Sequence, residues 1–178
     1  MTDPQTPLLS QDFDDLELGA SFVTPGRTLT ESDVVSFAGL TGDFHPLHVD
    51  AEWARASGFG ERIAHGMLIL SVAVGLVPLD PDRVLALRRI SDAVLKRPVP
   101  LGDTIHVEGT LESVHEVSEV AGLVRWRWRI ANQASETVAR VGVEVLWRRG
   151  EPRPAGGSGA VPDTAEAPGA RETLVLPL

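Results

Sequence analysis

The chain has 178 residues, of which 43% are hydrophobic, and a formal net charge of −9 at pH 7. This length and hydrophobic content suit one globular domain with its own core, and the negative charge disfavours non-specific binding to nucleic acid or anionic lipid. The absence of cysteine excludes disulfide bonds, thiolate metal sites, iron–sulfur clusters and cysteine nucleophiles.

The N-terminal stretch MTDPQTPLLSQDFDDLELG is acidic and has neither the basic nor the apolar region of a signal peptide. A cytoplasmic protein is therefore the expectation. Residues 1–11 are interpreted as an N-terminal extension, and residues 12–148 are expected to form the folded domain.

The first predicted elements lie in ASFVTPGRTLTESDVVSFAGLTGD, which indicates a strand that leads into a helix. Thr30 followed by Asp33 is typical of a capping box at a helix start, and the helix is expected to end near Gly42. Pro46 blocks its continuation and biases His45 toward extended backbone. The stretch TGDFHPLHVD is therefore predicted to be a loop between two helices.

Two further helices are predicted, a short one in DAEWARASGFG and a longer one in IAHGMLILSVAVGLV. The longer helix is apolar on nearly all sides, which is typical of a helix surrounded by other structure. Its apolar run from Gly66 to Leu79 is shorter than the ~18 to 20 residues that span a bilayer, so a buried helix is predicted and no membrane segment.

Four successive strands are predicted beyond Asp80, in VLALRRISDAVLKRPV, DTIHVEGTLESVHEV, VAGLVRWRWRIAN and SETVARVGVEVLWR. Short connections favour an antiparallel meander, whose apolar fourth strand would form an edge that dimerisation could cover. Helices followed by such strands predict an α+β domain in which the sheet wraps the apolar helix.

The RWRWR run in the third of these strands contains the residue types that bind nucleic acids. In a strand, however, alternate side chains point to opposite faces, so the arginines and the tryptophans are separated. The tryptophans are expected in the core, and no nucleic-acid partner is predicted. In the third and fourth strands the residues expected to face the core are Val124, Trp126, Trp128, Ile130, Val141, Val143, Val145 and Trp147.

The C-terminal segment, residues 149–178, is rich in Gly, Pro and Ala and follows neither the helical nor the strand period. It cannot bury enough apolar surface to offset the entropy of ordering it. A flexible tail is predicted, of which the last stretch, ETLVLPL, could dock on the domain.

The stretch TGDFHPLHVD concentrates Asp43, His45, His48 and Asp50 around one proline. One interpretation is a polar turn in which an aspartate caps the next helix. A second is a metal site with both histidines and a carboxylate, although no HExxH motif supports it. A third is a serine hydrolase, but there is no GxSxG motif.

A fourth interpretation is acid/base catalysis by Asp43 and His48 without a metal or a covalent intermediate. A reaction that takes a proton from water and gives one to carbon needs two groups that exchange protons near neutral pH. It also needs donors where negative charge develops, and the helix that begins at AHGML offers free backbone N–H groups. Gly66 would let a substrate carbonyl approach them.

The segments GDFHPLHVD, GFGERIAHGML and RPVPLGDTI together resemble the MaoC-like dehydratases and R-specific enoyl-CoA hydratases, in order and spacing, over about residues 15–148. The resemblance implies a hot-dog fold, an antiparallel sheet wrapped around a long helix, and assembly as a homodimer or larger oligomer. It implies reversible hydration of 2-enoyl thioesters of coenzyme A or a carrier protein to R-3-hydroxyacyl thioesters, with no cofactor and no metal.

The resemblance also implies roles for individual residues. The catalytic pair falls on Asp43 and His48, the oxyanion-hole amide on Gly66, and a serine that supports the aspartate on Ser71. Ser71 could equally bond the carbonyl one turn back in its helix.

Two histidines of these segments lie outside the catalytic pair. His45 departs from the family pattern, because many hydratases carry asparagine there; it is treated as a supporting residue that bears on substrate preference. His65 could line the thioester site, or it could simply precede the glycine at a helix start. Two rival functions stay open, a hot-dog acyl-CoA thioesterase and a non-catalytic acyl-thioester-binding subunit.

Overall fold

The structure is a computed structural model that describes residues 7–150. Residues 1–6 of the predicted extension, and the predicted tail beyond residue 150 with its docking segment, lie outside the described residues. Within residues 7–150, no helix has the length and hydropathy needed to cross a membrane.

The described chain contains helices first and long strands afterwards, as the sequence predicts. Two single 3₁₀ turns, Leu8–Ser10 and Phe13–Asp15, come before the first strand. The helices are α1 (Glu31–Thr41), α2 (Pro46–Val49), α3 (Ala51–Ala56) and α4 (Gly66–Leu76). The strands are β1 (Ser21–Val23), β2 (Arg27–Thr28), β3 (Val84–Leu95), β4 (Thr104–Glu116), β5 (Ala121–Asn132) and β6 (Thr137–Arg148).

Helix α1 has the start and the end that the sequence predicts. The Asp33 N–H donates to Oγ1 of Thr30 at 3.3 Å, and the Thr30 N–H donates to the Asp33 carboxylate at 2.8 Å, which completes a capping box. The Thr30 hydroxyl also donates to the Asp33 carboxylate, at 2.7 Å, and this bond, together with that from the Thr30 N–H, holds the pKa of Asp33 below its ordinary value. Gly42 ends the helix with a φ of +76°, a left-handed conformation that glycine adopts without strain.

The sheet is antiparallel throughout, but its strand order corrects the predicted meander. β4, β5 and β6 are consecutive neighbours, whereas β3 pairs with β6 and not with β4, so the order is β1–β4–β5–β6–β3. β6 is therefore an interior strand, and β3 is the edge that the sequence assigned to β6. Pro98 and Pro100, in the connection between β3 and β4, cannot donate ladder hydrogen bonds. That connection instead runs past the start of α4, where the Ala64 N–H donates to the Val99 carbonyl at 2.8 Å.

The core lies between α4 and the inner face of the sheet, which confirms that the sheet wraps the apolar helix. Trp126, Trp128 and Trp147 are at most 1% exposed. The residues predicted to face the core in β5 and β6 are all buried: Val124, Trp126, Trp128, Ile130, Val141, Val143, Val145 and Trp147. From α4, Leu68, Ile69, Leu70, Val72 and Ala73 are buried in the same core.

The outer face of β5 carries the three arginines of RWRWR. Arg125 and Arg127 both bond to Glu112, and Arg129 bonds to Glu108 at 2.5 Å. The Arg127 guanidinium is the main reason that the pKa of Glu112 lies below its ordinary value. The arginine charges are thus compensated within the sheet, on the face opposite the buried tryptophans.

Candidate active site

The stretch predicted to be a loop divides into a turn and a single helical turn. After Gly42, the Asp43 carboxylate accepts a hydrogen bond from the His45 N–H at 3.3 Å. α2 then begins at Pro46, where a proline fits because the first N–H of a helix has no acceptor within it. His48 therefore lies on α2 and not in a loop, which corrects the prediction.

Two residues of this stretch serve as helix caps. The ring Nδ1 of His45 accepts the Leu47 N–H at 3.2 Å at the start of α2. The Asp50 carboxylate accepts the N–H groups of Glu52 and Trp53, at 3.0 and 2.9 Å, at the start of α3. The polar-turn interpretation, in which an aspartate caps the next helix, is therefore correct for Asp50, and the cap by His45 is one that the sequence did not predict. Asparagine is a favourable cap residue, so a histidine in its place keeps the same local function.

The orientation of the His48 ring follows from one hydrogen bond. Its Nδ1 lies 2.7 Å from the Ile63 carbonyl oxygen. Because a carbonyl only accepts, Nδ1 carries the proton, and in the neutral ring Nε2 keeps a free lone pair. Nε2 is thus the atom that can take up a proton.

His65 contacts both His48 and Asp43 and is only 2% exposed. Its ring stacks on that of His48 with centroids 3.8 Å apart and an interplanar angle of 29°. Its Nε2 donates to the Asp43 backbone carbonyl at 3.0 Å, and its Nδ1 has no hydrogen-bond partner among the described residues. The sequence singled out His65 through the AHGML motif but gave no indication that it would contact both members of the pair.

The structure brings one atom each of Asp43, His48 and His65 within 4.8 Å of one another. This spacing suits one shared ligand, either a water molecule or a metal ion. The metal hypothesis drawn from the sequence combined His45 with His48; the group found in the described residues contains His65 and not His45. The His45 ring instead packs edge-on against Trp53, at 5.4 Å between centroids.

Gly66 is the first residue of α4, directly after His65, and its N–H is one of the helix-initial donors that lack an acceptor within the helix. A Cβ at this position would overlap Cδ1 of Leu95. Two cavities meet here, and both are lined by Gly66 and Leu95. One, of about 300 Å³, includes His48; the other, of about 440 Å³, includes Asp43 and His65.

Ser71 lies farther along α4, and its hydroxyl donates to the Met67 carbonyl at 2.8 Å. This is the bond one turn back that the sequence left open as an alternative. The described residues contain no hydrogen bond between Ser71 and Asp43, so the supporting role for Ser71 stays a prediction.

Comparisons with known proteins place this geometry in a family context. The sequence model described as "MaoC like domain" matches residues 15–126. Protein MaoC of Klebsiella aerogenes is 38% identical over an alignment of 130 residues that covers 69% of this chain and 39% of that protein. An (R)-specific enoyl-CoA hydratase of Rhodospirillum rubrum is 35% identical over 96 residues, 52% of this chain and 64% of that protein. The chain thus spans less than two thirds of the length of either relative.

Solved structures agree with the sheet and helix described above. A structure described as a monoamine oxidase regulatory protein, from an Archaeoglobus species, has a TM-score of 0.75 and 35% identity, with coverage of 79% of this chain and 96% of that one. A Mycobacterium tuberculosis protein with a double hot-dog fold has a TM-score of 0.73 and 24% identity, with coverage of 93% and 54%. The second likeness bears on fold alone, and it confirms the predicted hot-dog fold.

Proposed function

The chain belongs to the MaoC-like domain family, and from that premise we propose that it is a hydro-lyase that reversibly adds water to 2-enoyl thioesters. The named hydratases and dehydratases among its relatives support a lyase. The observation that carries the proposal is the meeting of Asp43, His48 and the Gly66 N–H where the two cavities join.

In the proposed reaction, a water molecule is held between the Asp43 carboxylate and Nε2 of His48. The water oxygen adds to C3 of the substrate, and the proton that the water loses passes through Asp43 and His48 to C2. Water therefore supplies both the hydroxyl group at C3 and the hydrogen at C2. The thioester oxygen gains negative charge as the bond forms, and the Gly66 N–H stabilises it. Dehydration is the same path in reverse.

We assign His65 a positioning role within this site. The sequence suggested that it binds substrate, and it lines the larger cavity, but its 2% exposure leaves little surface for a ligand. Its contacts instead run to the His48 ring and to the Asp43 carbonyl. Through them it holds the two reacting groups at a fixed separation.

The experiment is a turnover assay with enoyl-CoA thioesters from crotonyl-CoA upward, with chiral analysis of the product. The expected product is the R-3-hydroxyacyl thioester, formed without added metal or nucleotide. Free thiol released without a hydroxyacyl product would identify a thioesterase, and tight binding without turnover would identify a binding subunit. Activity lost to a chelator and restored by one metal would assign Asp43, His48 and His65 to that metal and overturn the mechanism.

We also propose that the chain assembles as a homodimer or larger homo-oligomer through the β3 edge. Leu87, Ile90 and Val94 of this edge strand are all more than 40% exposed, and an uncovered apolar edge invites pairing with a second strand. Light scattering should give at least a dimeric mass. Ile90→Lys should lower that mass, whereas Leu18→Lys, at an exposed apolar residue outside the strands, should not; a wild-type monomer would contradict the proposal.

A further inference from the structure

A group of positive side chains lies at one end of the sheet, beside the proposed site. Lys96, the only lysine of the chain, and Arg97 directly follow β3, and Arg140 lies on β6 opposite Val94. With Thr137 they line an open cleft of about 420 Å³. We call it the cationic cleft.

The charges of the cationic cleft are largely uncompensated. Among the lysine and arginine residues within 7–150, only Lys96, Arg140 and Arg148 have no carboxylate within 4 Å. Arg97 has one, Glu136 at 3.6 Å, and both side chains are about half exposed, so that pair neutralises it weakly. Two of these three unpaired cations of residues 7–150 therefore share one cleft, and this favours an anionic ligand.

The cationic cleft adjoins the site on one side only. Lys96 and Arg97 line both this cleft and the cavity that contains His48. The cavity that contains Asp43 and His65 has a different character. Its remaining lining is mostly apolar and comprises Phe37, Thr41, Gly66, Met67, Leu70, Ala93 and Leu95. A substrate that spans the site would thus have an apolar end and an anionic end.

We propose that the cationic cleft binds the phosphate groups of the pantetheine carrier to which the acyl chain is linked. This inference rests on the proposed function, because it takes the substrate to be an acyl thioester. The acyl chain then occupies the apolar cavity, the thioester lies at Gly66, and the pantetheine arm passes His48 toward Lys96, Arg97 and Arg140. Phosphate oxygens accept charge-assisted hydrogen bonds from such side chains.

Coenzyme A and an acyl carrier protein both carry phosphate attached to pantetheine. Coenzyme A has a diphosphate and a ribose phosphate, whereas the prosthetic arm of a carrier protein has one phosphodiester. Three substrates distinguish these two carriers: the crotonyl thioesters of coenzyme A, of 4′-phosphopantetheine and of pantetheine. They share the reacting crotonyl group and differ only in the part of the carrier that bears phosphate.

The test compares the kcat/KM of the wild type with that of the double variant Lys96→Gln/Arg140→Gln on these substrates. The ratio of kcat/KM for crotonyl-CoA to that for crotonyl-pantetheine should fall about tenfold in the double variant, since two exposed charge-assisted contacts are lost. Arg148→Gln is the matched control, because it removes an unpaired arginine that does not line the cleft; its ratio should equal the wild-type ratio.

Each outcome is decisive. If kcat/KM relative to crotonyl-pantetheine falls for crotonyl-CoA alone, the cleft binds the nucleotide end of coenzyme A. If it falls equally for the 4′-phosphopantetheine thioester, the cleft binds the phosphate next to pantetheine. An unchanged ratio in a folded, active double variant overturns the proposal, as does a change of oligomeric mass, which would make the cleft a contact between copies. If the wild type turns over no enoyl-CoA thioester of any chain length, the proposed function fails. Calorimetric titration with coenzyme A still tests the cleft, because equal affinity of the wild type and the double variant overturns the proposal.

Discussion

The two halves of the candidate site differ in exposure and in what holds them in place. The half formed by residues 42–50 is exposed or half-buried and is organised by local bonds, such as the caps of His45 and Asp50. The half formed by residues 63–66 is mostly buried and is fixed by distant partners, for example the Val99 carbonyl. In the proposed mechanism, the exposed half supplies the reacting groups and the buried half determines where they are.

The largest effects on activity are expected in the exposed half. Asp43→Asn and His48→Gln should each lower kcat by at least ~100-fold, which is a typical contribution of a general acid or base. In the proposed mechanism the pair acts on one water, so the double variant should be far less impaired than the product of the two single effects. Steady-state kinetics measure this, and circular dichroism should show an unchanged fold. A folded Asp43→Asn protein with near-normal turnover would reduce the stretch to a polar turn.

The buried half should affect both activity and stability. His65→Phe keeps a ring against His48 but removes the donor to the Asp43 carbonyl, whereas His65→Gln keeps a donor and loses the stack. Each removes one tie to a reacting group, so each should lower kcat about tenfold through misplacement. In His65→Phe, which leaves the Asp43 carbonyl without this donor, the free energy of unfolding should fall by about 1 to 3 kcal/mol, the range for a buried group left without its hydrogen bond. Denaturant titration and kinetics on the two variants test this, and unchanged kcat in both would contradict the positioning role.

A smaller effect is expected where the buried half meets the cavities. Gly66→Ala should push the Leu95 side chain into the space for substrate and lower kcat/KM several-fold, with a wild-type circular dichroism spectrum. Gly75→Ala is the matched control, because it lies on the same helix with open space around it; it should stabilise the protein by ~0.5 to 1 kcal/mol. Recovery of kcat/KM in Gly66→Ala/Leu95→Ala would confirm that Leu95 is the obstacle.

The smallest effect is expected at His45, which belongs to the exposed half but does not face the shared centre. His45→Asn should retain turnover and change the unfolding free energy by less than ~0.5 kcal/mol, because asparagine also caps a helix, whereas His45→Ala should cost ~1 kcal/mol. A shift in preference among enoyl chain lengths is expected for His45→Asn. Thermal unfolding and a substrate panel measure both, and loss of turnover in His45→Asn would show that the two halves are not divided as described.

Much of this molecule could be predicted from its sequence, because the relevant interactions are local. The capping box of Thr30 and Asp33 depends on residues three positions apart, and the alternation of arginine and tryptophan in β5 follows from the geometry of a single strand. The order of the motifs predicted the family and the hot-dog fold. Asp43 and His48 were identified as a pair because they lie close together in the chain.

Other features were decided by tertiary structure alone. The pairing of β3 with β6, the stack of His65 on His48, and the cleft of Lys96 and Arg140 all join residues far apart in sequence. Residue types and spacing determine which local elements form, but the contacts between elements depend on how their apolar faces pack around α4. The single sequence has no local pattern that records those contacts, and this is why Asp43 and His48 could be identified from the sequence whereas the contacts of His65 with both of them could not.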